Sequence, residues 1–235
     1  MHEHDTTNTL TEKSSVLGTL RALLPPRRLL LSEALRLAEL QANRLLHLQH
    51  VVGAPVPQEI VTSLPRVLID YDPDLPRHAA SGLSDWDAHR RAWVITLNPD
   101  EPATRQRFTV IHEYKHIVDH GHPGLGGRLP RSIYGLTPVE YIAEYFAGCV
   151  LMPKRWLRAA FYGGIQRPSE LARLFDVSTR AMTVRLEQIG LIEHAAPASQ
   201  SSQRPGYRLQ PHSFHRYHRP LSPNYIPALT QEVAA

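Results

Sequence analysis

Disulfides, membrane spans and extremes of charge are all missing from this 235-residue chain, and each absence narrows what it can be. A single cysteine, Cys149, leaves no internal disulfide framework and suits a reducing compartment, so a cytoplasmic protein is expected. No run approaches the roughly 18 unbroken apolar residues of a membrane span. The polar stretch Met1 to Ser15 does not resemble a secretion signal, so no membrane partner is expected. Net charge is only +4, carried by scattered arginines without a long basic block, which argues weakly for nucleic acid. What remains is 42% hydrophobic and 20% charged, the balance of a folded protein with one ordinary core plus appendages.

Histidine is abundant instead. Of 14 histidines, His112, His116, His120 and His122 crowd into one short stretch, and clustered imidazoles point to metal binding or acid–base chemistry.

Around that cluster the chain divides into four parts. Residues 1–27 are expected to be largely disordered, although Val16 to Leu24 carries a short helical pattern stopped by Pro25-Pro26. Residues 28–153 form the main domain. Within it, Ser32 to His50 is helical, capped by Ser32, with Leu35, Ala38, Ala42, Leu45 and Leu46 on one apolar stripe and Gln41 mostly off it. Arg66 to Tyr71 and Trp93 to Leu97 read as strands, and Arg105 to His120 as a helix. A glycine-rich loop follows to Leu136. Thr137-Pro138 then opens a second helix with Thr as cap and Pro in the first turn. Residues 154–194 form a helical segment: Lys154 to Tyr162, then the pair Ser169 to Phe175 and Ser178 to Ile189, stopped by Gly190. Residues 195–235 are rich in Ser, Pro, His and Arg, lack periodicity, and read as a disordered tail.

The chemistry sits in His112-Glu113-Tyr114-Lys115-His116. Histidines four apart project from one helix face and can bind one ion, and the neighbouring Glu113 can take a proton from water activated there. This is the HExxH pattern, specific in chemistry but short. A catalytic zinc takes three protein ligands and keeps one position open, and two residues compete for the third place. Glu140 starts the second helix, with Glu144 one turn later on the same face. That pair suits one carboxylate on the metal and another holding a histidine ring in its productive tautomer. The rival is His122, ten residues after His112 as in the longer metzincin motif, but Asp119 stands where that motif needs glycine for its turn.

Three blocks in this order and spacing, Arg107-Phe108-Thr109-Val110-Ile111-His112-Glu113-Tyr114-Lys115-His116, Glu140-Tyr141-Ile142-Ala143-Glu144-Tyr145-Phe146-Ala147 and Leu151-Met152-Pro153, resemble the ImmA/IrrE family of bacterial metallopeptidases. The similarity extends upstream through Trp93 to Asn98 and Ser81-Gly82, and downstream to Ile192. The resemblance implies an α+β fold: a small thermolysin-like zincin core with a few-stranded sheet, followed by a segment like a helix-turn-helix. It implies Zn2+ on His112, His116 and Glu140, with Glu113 as the catalytic base. Glu144 stands where the family often has Asn, and is expected to orient His112. Lys115 stands where Gly is frequent. Tyr134, His120 and His122 are near enough in sequence to serve as oxyanion donors. The implied partner is a protein substrate, a repressor-like regulator.

A rival function comes from Glu170 to Gly190. Its short turn, and a second helix bearing Arg180, Thr183 and Arg185, suit a DNA groove, which would make the chain a metal-binding regulator of transcription. The alternative is that these helices pack on the peptidase core.

Overall fold

The computed structural model describes residues 15–75, 82–122 and 136–193. The expected disorder at 1–14 and in the tail from 195, and the loop bearing Tyr134, lie outside the described residues.

In chain order the elements are α1 (Val16–Arg21), α2 (Leu31–Leu48), α3 (Glu59–Thr62), β1 (Val67–Tyr71), β2 (Gly82–Asp87), β3 (Ala92–Leu97), α4 (Ala103–Asp119), α5 (Pro138–Leu151), α6 (Lys154–Tyr162), α7 (Pro168–Phe175) and α8 (Thr179–Gln188). This is an α+β architecture with a mixed three-stranded sheet of order β1-β3-β2, in which β3 pairs parallel with β1 and antiparallel with β2. The central strand β3 is the most apolar, because both its faces are covered: Trp93, Val94, Ile95 and Leu97 are all buried. The sheet packs on α4, α4 packs on α5, and α5 packs on α2. Helix α4 is therefore enclosed on nearly every side. That explains why it buries Arg107, Lys115 and Glu113 along with Val110, Ile111 and Ile117. Among the described residues, no helix is long and apolar enough to cross a membrane.

Local signals fixed several boundaries. Thr137 Oγ1 accepts from the Glu140 N–H at 3.3 Å, and Ser178 Oγ from the Ala181 N–H at 3.1 Å, so each caps its helix. Helix α2, by contrast, starts one residue before the expected cap. Leu30 holds the cap position, and the Glu33 carboxylate accepts its N–H at 2.9 Å, leaving Ser32 inside the first turn.

Two further expectations need correction, and one strand was missed. Residues 15–27 are ordered rather than disordered: the short helical pattern there forms α1, Leu20 is fully buried, and Arg21 Nη2 donates to the Ile117 carbonyl of α4 at 2.8 Å. Gln41 is buried rather than off the stripe. Its amide donates to the Leu20 carbonyl at 3.0 Å and accepts from Lys115 Nζ at 2.8 Å. The ammonium of Lys115 also pairs with Asp119, and burial still pushes its pKa below the ordinary lysine value. A buried polar string thus runs from α1 through α2 into α4. Finally, β2 was not anticipated. It is an edge strand whose Asp85 and Trp86 face solvent, so it lacks the apolar alternation that reveals a half-buried strand.

Candidate metal and catalytic centre

Helix periodicity places His112 and His116 one turn apart on α4, and their Nε2 atoms lie 3.1 Å from each other. Glu140, in the first turn of α5, reaches across from the packed neighbour. Its Oε2 is 3.1 Å from His112 Nε2 and 3.5 Å from His116 Nε2. These three atoms form a nearly equilateral triangle. A tetrahedral ion holding three such atoms at about 2.0–2.1 Å sets them about 3.3 Å apart, so the triangle has the size of a zinc ligand face. Ligand atoms of His112, Glu113 and His116 also lie within 4.8 Å of one another, a grouping able to hold a metal ion.

The electrostatics favour a cation. Burial works against the His112 imidazolium, but the Glu140 hydrogen bond and the charges of Glu113, Glu140 and Glu144 outweigh it and raise the pKa. For Glu140, burial works against the charged form, yet the two histidines hold its carboxyl far below the usual range. Glu144, one turn along α5, lines the same cleft as His112 and Glu113, and burial raises its pKa against the pull of His112 and Arg180.

Glu113 has a partner that sequence reasoning missed. Ser84 Oγ, from β2, donates to Glu113 Oε2 at 2.9 Å and fixes the carboxylate. The register behind this contact is geometric. Gly82 and Ser84 are two apart on one face of the strand, and they meet Thr109 and Glu113, four apart on α4. Two strand residues rise about 6.8 Å and four helical residues about 6.0 Å, so the two repeats stay in step. The approach is close enough to require glycine: a Cβ at Gly82 would lie 2.5 Å from Thr109 Cγ2 and 3.0 Å from the Thr96 carbonyl oxygen. The pair Ser81-Gly82 was legible as part of a resemblance; the strand beginning at Gly82 was not.

Other expected participants are engaged elsewhere. His122 Nε2 lies 2.8 Å from the Pro25 carbonyl, to which it donates. The His120 ring stands edge-on to Trp93 with centroids 4.8 Å apart. Tyr134 is outside the described residues.

A cleft of about 280 Å³ opens from His112 and Glu113 toward α8. Ser178, Ala181, Val184, Arg185 and Gln188, one face of α8, form its far wall. Of the three side chains suited to a DNA groove, Arg185 is only 1% exposed, with Nε donating to the Met152 carbonyl at 3.2 Å, and it lines the cleft rather than an outer face. The Thr183 hydroxyl turns back onto the Thr179 carbonyl at 2.9 Å. Arg107 of α4 anchors the pair by donating to the carbonyls of Phe175 and Asp176 and pairing with the Asp176 carboxylate at 2.7 Å.

A buried HExxH helix beside a strand that holds its glutamate, with a cleft opening from both, is the site of a metallopeptidase, on an α+β architecture broadly consistent with a zincin-like core. The family model of the IrrE N-terminal-like domain, a peptidase family, matches residues 73–187, and this chain carries an IrrE/ImmA-like peptidase domain. That match crosses residue 153, where the main domain was expected to end. No curated protein matches the chain.

Proposed function

We propose that the chain is a zinc endopeptidase with a thermolysin-like core, in which His112, His116 and Glu140 hold Zn2+ and Glu113 is the catalytic base. The observation that carries the ligand set is the triangle of Nε2, Nε2 and Oε2 atoms with edges of 3.1, 3.1 and 3.5 Å. Glu140 suits the ligand role better than Glu113, because its oxygen approaches both imidazoles while Ser84 holds Glu113 from the other side. The ion supplies Lewis acidity to a water and to the scissile carbonyl. Glu113 accepts the proton released by the attacking water and returns it to the nitrogen of the leaving amine. Ser84 is a positioning residue, keeping the carboxylate aligned for both transfers. Glu144 supports the His112 side of the site.

The substrate is taken to be a regulatory protein of the repressor type, a reading that rests on the resemblance to ImmA/IrrE peptidases. The peptidase core is taken to end at residue 153, with 154–194 closing its cleft. A reducing compartment such as the cytoplasm suits the one cysteine, Cys149, which is buried.

The test is Glu113→Gln in the full chain. Zinc content by atomic emission should stay at one ion per chain, while cleavage of a peptide library falls by about 10²–10⁴. Loss of zinc with the substitution, or undiminished cleavage, refutes the assignment.

A further inference from the structure

The cleft beside the metal site has a second wall whose chemistry does not belong to peptide hydrolysis itself. Its volume of about 280 Å³ falls just below the roughly 300–1,000 Å³ of small-ligand sites, which suits a side chain rather than a whole cofactor. Phe108, Met152, Ala181 and Val184 give it an apolar lining. Set into that lining are Arg180 and Arg185 of α8, with Arg105 and the carboxylates of Glu113 and Glu144 on the same cleft. Arg185 is buried, yet among the described residues it makes no ion pair with a carboxylate, and its Nη2 has no hydrogen-bond partner. Its other nitrogens are partnered, Nε donating to the Met152 carbonyl at 3.2 Å and Nη1 to Gln188 Oε1 at 3.3 Å, and the Tyr145 ring centroid lies 5.3 Å from its guanidinium carbon. Only Nη2 is left buried without an acceptor, which is costly, and an incoming carboxylate would relieve that cost.

We propose that this cleft is the specificity pocket of the enzyme, taking a bulky apolar side chain of the substrate with an aspartate or glutamate beside it, the carboxylate held by Arg180 and Arg185. The inference rests on the peptidase reading above and adds the substrate class. Helix α8 then serves as a reader of peptide, with the face that would enter a DNA groove turned onto the catalytic cleft. Gly148 of α5 controls the depth of the pocket. A Cβ there would meet Arg185 Cδ at 3.7 Å and Met152 Cε at 4.0 Å, ordinary contacts, so alanine fits and a longer side chain extends into the pocket space.

Binding separates this proposal from catalysis. Zinc-loaded full-length Glu113→Gln protein is titrated, by fluorescence anisotropy, with three otherwise identical peptides centred on Leu-Glu, Leu-Lys and Ala-Glu. The Leu-Glu peptide should bind about tenfold or more tighter than either of the others. Arg180→Glu should remove or invert the preference for Glu over Lys. Gly148→Leu, with Gly148→Ala as the milder variant, should remove the preference for Leu over Ala. Affinities within twofold for all three peptides, or preferences unchanged by these substitutions, overturn the pocket. If the preference holds while the wild-type protein leaves the Leu-Glu peptide intact, the pocket stands and the peptidase reading falls. If the wild type cuts the three peptides equally, peptidase activity stands and the pocket falls.

Discussion

Replacing Gly82 with alanine tests how the edge strand β2 is coupled to Glu113, the proposed catalytic base. The added Cβ would sit 2.5 Å from Thr109 Cγ2 and 3.0 Å from the Thr96 carbonyl oxygen. Carbon atoms in contact rest about 3.5–4.0 Å apart, so β2 must withdraw from α4 by about 1 Å. Ser84 lies two residues on, facing the same way, and is carried with it. Its 2.9 Å hydrogen bond to Glu113 then lengthens to nearly 4 Å, beyond the reach of a hydrogen bond. Overpacking of this kind costs about 1–3 kcal/mol. At roughly 2–4 °C per kcal/mol for a chain of this size, Tm should fall by about 2–12 °C. Turnover should fall with it, because the base loses its fixed orientation. Thr109→Ser removes the offending methyl and leaves the hydroxyl, so Gly82→Ala/Thr109→Ser should recover most of both losses. Ser84→Ala should reproduce the loss of turnover with little change in Tm. Thermal melting of zinc-loaded protein and kcat on one peptide supply both readouts. If Gly82→Ala melts and turns over like the wild type, or if Thr109→Ser rescues nothing, the coupling is wrong.

Other substitutions probe the remaining links. Glu140→Ala should weaken zinc binding, measured by competition with a chromogenic chelator, by more than the roughly 10–100-fold typical of a group that only supports a ligand. Glu144→Gln should stay within that range, and equal losses would remove the distinction between the two carboxylates. Asp119→Ala leaves the Lys115 ammonium buried without its ion-pair partner and should cost about 3–5 kcal/mol in urea denaturation. The double change Lys115→Met/Asp119→Leu, which removes both charges, should regain much of that. Leu20→Ala should cost about 2–5 kcal/mol if α1 is part of the core, whereas a dispensable leader would show almost no change.

Several features of the site follow from sequence alone, because they depend on contacts within one or two helical turns. The i, i+4 spacing of His112 and His116 puts both rings on one face of any helix that contains them. Thr137 and Ser178 start their helices through hydrogen bonds that span three residues. The apolar periodicity of Arg105 to His120 and of Val139 to Leu151 likewise exposed α4 and α5 to a reader of the chain. Glu140 was legible as a strong contender for the third ligand, but spacing left His122 in competition.

Only packing decided the rest. The approach of Glu140 to the two imidazoles spans 28 residues to His112 and fewer to His116, and depends on how α5 crosses α4. The Ser84–Glu113 contact spans 29 and depends on an edge strand too polar to betray itself. Gln41 looked like a surface residue because a helical wheel cannot know that Lys115 and the Leu20 carbonyl converge on it inside the core. Nor could the wheel of α8 tell a face that reads DNA from one that lines a peptidase cleft, since both want the same mixture of arginine and small side chains. Local hydrogen bonding and periodicity operate over a few residues and are written directly in the chain. The meeting of a strand, two helices and a distant helical pair around the His112–Glu113 cleft is set by which apolar faces bury one another, and that emerges only in three dimensions.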